Sequence, residues 1–204
     1  MTDMQDHWQG IFAGKEEGNL TWFQETPEVS LNLIANSGVG ADARIIDIGA
    51  GASRLADALL ERGFPNLTVL DIADEGLNKI RNRLGGDAGR IDWVVADITQ
   101  WTPTGQFDLW HDRAVFHFLT DPDARAAYRA ALEATLSPAG QVIIGTFALD
   151  GPEKCSGLPV VRYDGETLGR ELGPGFRLEE SVPDGHVTPK GGVQKFQFSR
   201  FSRV

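Results

Sequence analysis

The stretch Arg44-Ile-Ile-Asp-Ile-Gly-Ala-Gly-Ala-Ser53 decides the fold. Its first five residues are a short, nearly apolar run. Leu55, Leu59 and Leu60 then supply a helical stripe that ends before Gly63. The order is therefore strand, glycine turn, helix. Gly49 permits the tight turn, and Gly51 lets a ligand approach bare backbone at the helix N-terminus. A plain strand-to-helix turn would need no more than this, so the flanking sequence has to choose between the two.

Outward from that turn the same rhythm repeats. Residues 67–71 (LTVLD) form a second strand candidate, followed by a helix carrying Leu77, Ile80 and Leu84 and stopped by Gly85 and Gly86. Residues 91–95 and 107–110 read as the third and fourth strands. Asp121-Pro122 opens a helix that runs through Tyr128, Ala131, Leu132 and Leu136 to a stop at Ser137-Pro-Ala-Gly140. Residues 141–147 (QVIIGTF) are the fifth strand. Nearly all-apolar strands separated by helices predict a parallel sheet covered on both faces.

The last third breaks the pattern. After a helix around 164–172 come two strand runs, 176–182 and 193–204, with Pro183-Asp-Gly185 and Lys190-Gly-Gly192 between them. No helix separates the runs, so they are expected to pair as an antiparallel hairpin. Before the first core strand, Trp8, Ile11 and Phe12 suit an amphipathic helix. A second helix starts at Thr26-Pro27, carries Leu31, Leu33 and Ile34, and ends near Gly38. Both are expected to cover the open edge of the sheet as a lid.

Composition limits the function. The 204 residues carry 19 basic and 29 acidic side chains, a net charge of −10, which disfavours nucleic acid as partner. No apolar run approaches the roughly 18 residues of a membrane span. The start, MTDMQDHWQG, has neither a basic nor an apolar leader region, so a cytoplasmic location is expected. The one cysteine, Cys155, cannot form an internal disulfide or build a zinc site alone, and no metal-ligand spacing is visible.

The acids at the strand ends describe a ligand. Dinucleotide sites prefer a third glycine where this chain has Arg54, and Asp47 at the head of the loop repels phosphate and attracts a cation. Asp71 ends the second strand, where a carboxylate can take both ribose hydroxyls of a nucleoside. Asp97 ends the third. Either acid alone reads equally well as a helix cap or loop acid. Together they suit a ligand with an amine, a ribose and an adenine but no phosphate.

Asp47–Ser53, Asp71, Ala96-Asp97-Ile98 and Phe107-Asp-Leu-Trp110 resemble the class I S-adenosylmethionine-dependent methyltransferases over about residues 42–150. The resemblance implies an α/β, Rossmann-like fold: a seven-stranded, mostly parallel sheet with a C-terminal antiparallel hairpin and an N-terminal helical lid. One domain then spans 1–204, with the lid at 1–43 and the core at 44–204. It implies S-adenosyl-L-methionine as cofactor and S-adenosyl-L-homocysteine as product. Gly49 and Gly51 would flank the methionine part, with Asp47 near its amine. Asp71 would hold the ribose, Ile72 the adenine face, and Asp97 with Ile98 the adenine edge. Trp22 would stack on the donor and Phe23 cover the acceptor, or both would simply pack the lid.

For the acceptor, the segment Trp110-His-Asp-Arg-Ala-Val-Phe-His-Phe118 lacks the Asn/Asp-Pro-Pro-Tyr/Phe signature associated with nucleobase methylation. His111 and Arg113 are the catalytic candidates. His117 reads either as a pocket residue or as a structural histidine among Val115, Phe116 and Phe118. Asp112 reads as a fixed ion pair with Arg113 or as an acid–base group. Trp110–Arg113, Asp121–Tyr128 and Gly157-Leu-Pro-Val160, with a lid rich in tryptophan (His7-Trp8, Thr21-Trp-Phe-Gln24), are similar to the thiopurine S-methyltransferase branch. That likeness implies a small soft nucleophile, a thiol or a selenium or tellurium species. Trp8, Cys155 and Arg162 complete the expected pocket.

Asp6-His-Trp8 and Glu16–Trp22 are also similar to small protein lysine methyltransferases, although Asp112-Arg-Ala-Val115 departs from their Asp-Lys-Gly-Thr. A small-molecule acceptor is favoured over a protein, and the oligomeric state is left open. Two further readings stand beside these: a non-catalytic donor-binding module, and a nicotinamide-dependent oxidoreductase. The second is disfavoured by the missing third glycine and the terminal hairpin.

Overall fold

A computed structural model describes residues 3–204; residues 1 and 2 of the expected 1–43 lid lie outside the described part. Its strands, in chain order, are β1 (Arg44–Ile48), β2 (Asn66–Asp71), β3 (Ile91–Val95), β4 (Phe107–Arg113), β5 (Leu136–Phe147), β6 (Lys154–Cys155), β7 (Leu158–Pro159), β8 (Phe176–Val187) and β9 (Val193–Arg203). The helices are α1 (Asp3–Gly14), α2 (Glu28–Asn36), α3 (Leu55–Glu61), α4 (Asp74–Leu84), α5 (Pro122–Thr135) and α6 (Gly165–Leu172). Seven strands make one sheet in the order β3-β2-β1-β4-β5-β9-β8. The first five run parallel; β9 pairs antiparallel with both β5 and β8. The order reverses between β1 and β4, and at such a switch point the loops after adjacent strands part and leave a crevice.

Strand alternation sorts the side chains onto two cores. Ile45, Leu109 and Ile143 face one side, with Leu31, Leu33 and Ile34 of α2, Leu55 and Leu59 of α3, and Leu77 and Ile80 of α4. Ile46, Ile48, Trp110, Val142 and Ile144 face the other, with Tyr128 and Leu132 of α5 and Leu168 and Leu172 of α6. Asp47, His111 and Arg113 therefore share the α2–α3 side, and Asp112 points to the α5 side. Local caps fix the helix starts on that second side. Asp121 accepts from the Asp123 amide with Pro122 in the first turn, and Asp164 and Thr167 form a reciprocal capping box.

Three expectations need correction. The N-terminal helices do not both cover an edge: α2 is part of the core layer, because Leu31, Leu33 and Ile34 are at most 2% exposed. Only α1 lies over the cleft, packed against α4. Ser137–Gly140 ends α5 as expected but belongs to the irregular start of β5, with Ala139 at φ 60°. Pro183-Asp-Gly185 is not a turn; β8 runs through it to Val187 and the chain reverses at 188–192. Proline is tolerated there because β8 is an edge strand.

Candidate functional site

A cleft of about 420 Å³ opens at the carboxyl ends of β1, β2, β3 and β4. One wall is the loop after β1. Gly49 and Ala50 both donate to the Leu70 carbonyl, at 2.7 and 3.1 Å, which ties the loop to the end of β2. Gly49 and Gly51 have φ 66° and 55°. A Cβ on Gly49 would stand 1.9 Å from Val115 Cγ2, and one on Gly51 2.7 Å from Phe12 Cζ. The backbone at Gly51 is indeed closely approached, but by the chain's own α1 rather than by open space kept for a ligand.

Asp71 braces the same loop. Its Oδ2 accepts from the Gly51 amide and its Oδ1 from the Ala73 amide, both at 2.7 Å. Burial pushes its acid up to about 6, against the pull of those amides. Asp47 is 5% exposed. Its Oδ1 accepts from His111 Nδ1 at 2.7 Å, while Oδ2 is buried without a partner. Asp97, just past β3, lines the cleft with Ile98 and accepts from the amide and hydroxyl of Thr99. Asp47, Gly49, Gly51, Asp71, Ile72, Asp97, Ile98 and Trp22 all line this one cleft.

The other end is aromatic and cationic. Trp8 sits edge-on to Phe118 at 5.2 Å and to Trp22 at 5.9 Å between centroids. Arg113 stacks on Phe196 at 4.9 Å and donates from Nη1 to the Trp22 carbonyl at 2.9 Å. Burial draws its guanidinium down to about 10. Cys155 reaches this end from β6, its thiol pushed up by burial.

Several expected site residues stand elsewhere. His111 lines the cleft but is 2% exposed, and both ring nitrogens are taken, Nδ1 by Asp47 and Nε2 by the Ser30 hydroxyl at 2.9 Å. Hydroxyl, imidazole and carboxylate in a row are the parts of a nucleophilic relay. Ser30 is 1% exposed and does not line the cleft, so here they bind α2 to β1 and β4. His117 lies behind the cleft wall: Nδ1 accepts from the Phe147 amide at 3.3 Å, and burial pushes the imidazole down to about 3, leaving it neutral. Asp112 makes no ion pair with Arg113. It accepts from the Val115 and Phe116 amides and the Tyr128 hydroxyl, and so shapes the turn after β4. Arg162 is held by the Gly151 carbonyl and Glu153 outside the cleft, and Phe23 packs under Arg54. Sequence reading passed over Ser30; it had Phe12 as a residue of the lid helix, Val115 and Phe118 beside His117 in the segment expected to face the acceptor, and Phe196 as a strand residue.

Residues 45–140 match the family model described as a methyltransferase domain. With the strand order and the glycine loop, that match is decisive. Residues 45–140 are a class I methyltransferase domain.

Malonyl-[acyl-carrier protein] O-methyltransferase 2 of Ilyobacter polytropus is 25% identical to this chain over 108 residues, 52% of this chain and 40% of that protein. Nodulation protein S of Rhizobium tropici is 27% identical over 114 residues, 56% of this chain and 47% of that protein. The chain thus covers less than half the length of either relative. The crystal structure of Burkholderia thailandensis 1,6-didemethyltoxoflavin-N1-methyltransferase, with bound 1,6-didemethyltoxoflavin and S-adenosylhomocysteine, is similar with a TM-score of 0.76 at 23% identity. It covers 99% of this chain and 89% of that one, and at that identity the likeness establishes the fold. Among the described residues, no helix of the methyltransferase domain or its flanks is long and apolar enough to cross a membrane.

Proposed function

We propose that the protein is an S-adenosylmethionine-dependent methyltransferase acting on a small-molecule acceptor. The observation that carries this is that the acids Asp47, Asp71 and Asp97 all line one cleft. The fit is chemical. Asp47 offers a buried, unpartnered Oδ2 to an ammonium, and Asp71 retains acceptor capacity for two ribose hydroxyls. Ile72 and Ile98 offer apolar surface to adenine, with Asp97 at its edge. When bound, S-adenosylmethionine supplies a methyl group on a sulfonium, already electrophilic, so alignment supplies most of the rate.

The chain's own groups then select the acceptor. His111 has no free nitrogen and His117 lies outside the cleft, so neither imidazole is available to take a proton from it. His111 therefore acts as a positioning residue for Asp47. Arg113 places positive charge at the aromatic end. Such a site favours an acceptor that ionises by itself, a thiolate or another soft anion, over one needing a strong base. The same cation disfavours a lysine ammonium, which weighs against the protein-substrate reading.

The test uses methyl-labelled S-adenosylmethionine with dialysed cell extract and a panel of small thiols and selenite, counting label separately in small-molecule and protein fractions. Label in small products is the expected result. Label confined to a protein band would reverse the acceptor assignment, and label in neither would favour a non-catalytic binding module.

A further inference from the structure

Arg113 is the buried charge that the donor site does not use. Its guanidinium has five N–H groups, and the structure partners only Nη1, through the Trp22 carbonyl. Nε and Nη2 are both buried without a partner. Among the described residues, Arg113 makes no ion pair within 4 Å. These two nitrogens are neighbours on one edge of the planar guanidinium, and that edge matches the two oxygens of a carboxylate in parallel hydrogen bonds. Phe196 covers one face of the plane and Trp22 holds the opposite edge, so the free edge is fixed in direction before any ligand arrives.

Asp184 is the nearest protein candidate for this role. It pairs across the hairpin with Phe196, so its side chain lies on the same face of the sheet as Arg113, and its Oδ2 is also buried without a partner. It nevertheless makes no hydrogen bond to Arg113 and does not line the cleft. Asp184 acts on Arg113 through its charge without a hydrogen bond, and the Nε–Nη2 edge has no protein partner among the described residues.

We propose that the acceptor carries a carboxylate, and that this group docks two-pronged on the Nε–Nη2 edge of Arg113 while the attacked atom lies elsewhere on the molecule. The inference rests on the methyltransferase reading of the cleft and narrows its substrate class. Arg113 becomes the specificity-determining residue, and the aromatic rings of Trp8, Trp22 and Phe118 take the apolar remainder. The carboxylate also neutralises a buried cation that burial already holds down to about 10.

The experiment is calorimetric and needs no turnover. The full chain is first titrated with S-adenosylhomocysteine, and the saturated complex is then titrated with 3-phenylpropionate and with its near-isosteric amide. The wild type should bind the acid at least about tenfold tighter than the amide. R113Q should lose that discrimination and R113K keep part of it, each variant being read against its own S-adenosylhomocysteine affinity. D184N should keep the discrimination in full. Equal binding of acid and amide, binding of neither up to about 10 mM, or discrimination that survives in R113Q overturns the carboxylate site. Failure of S-adenosylhomocysteine to bind overturns the underlying methyltransferase reading instead, at the first step.

Discussion

At the scale of single residues, the site depends on how one buried carboxylate is held. Asp47 is 5% exposed, with one oxygen fixed by His111 and the other buried without a partner. His111 sits directly beside it because β1 and β4 pair in register at these two residues. Removing the imidazole in H111A leaves Asp47 Oδ1 and the Ser30 hydroxyl both buried and unpaired. The expected loss is about 3 kcal/mol in denaturant unfolding, together with weaker S-adenosylhomocysteine binding. H111N, whose side-chain amide can donate to Asp47, should recover most of the binding and about half of the stability. A general base would behave differently: H111N would fail in turnover while binding normally.

At the scale of elements, the N-terminal segment is clasped from several sides. Glu17 takes Arg54 at 2.7 Å and Arg83 at 2.5 Å, and Arg83 is itself held by Asp57 of α3. Thr21 and Trp22 offer their carbonyls to His186 and Arg113. Glu17 therefore ties the chain after α1 to α3 and α4, beside the glycine loop. E17Q should weaken S-adenosylhomocysteine binding by about three- to tenfold while lowering Tm by less than about 3 °C, since ion pairs still partly open to solvent stabilise little. An equal loss of binding in the wild type at high salt, with no further loss in E17Q, checks the same clasp.

The parallel core was legible because its elements declare themselves locally. β1, β3, α3 and α4 follow apolar runs, stripes and glycine stops, and the acids at the strand ends were found by position alone. What lay hidden depended on distant contacts. The stripe Leu31, Leu33 and Ile34 announces a helix, but only the hairpin and α3 around it decide that α2 joins the core instead of a lid. His111 looks like a base until Asp47 and Ser30, 64 and 81 residues away, occupy its two nitrogens. Asp112 and Arg113 are adjacent in sequence, which suggested an ion pair, yet strand alternation sends them to opposite faces of the sheet.

At the scale of the whole molecule, buried titratable groups of opposite sense set the response to acid. Asp71 and Asp112 are both pushed up to about 6 by burial. The folded state holds their protons more tightly than the unfolded chain, so their cost at neutral pH is relieved as pH falls through about 6 towards 4. His117, pushed down to about 3, stays neutral when folded but protonates near its ordinary value when unfolded, so stability is lost as pH falls below about 6.5. The two trends oppose each other, and the wild-type Tm should change little between about pH 6.5 and 4. H117N keeps an acceptor for the Phe147 amide but removes the titration, and its Tm should rise as pH falls over the same range. Parallel curves for the two proteins would mean that His117 is not the opposing group.

The most direct measurement is calorimetric titration of S-adenosylhomocysteine into the wild type and D71N at about pH 7.5 and about pH 5. The ribose hydroxyls need the ionised Asp71, whose acid lies at about 6. The wild type should therefore bind one molecule per chain at the higher pH and weaken about tenfold at the lower. D71N should bind weakly at both. No binding by the wild type, or an affinity that D71N and pH leave unchanged, would contradict the assignment of this cleft to the methyl donor.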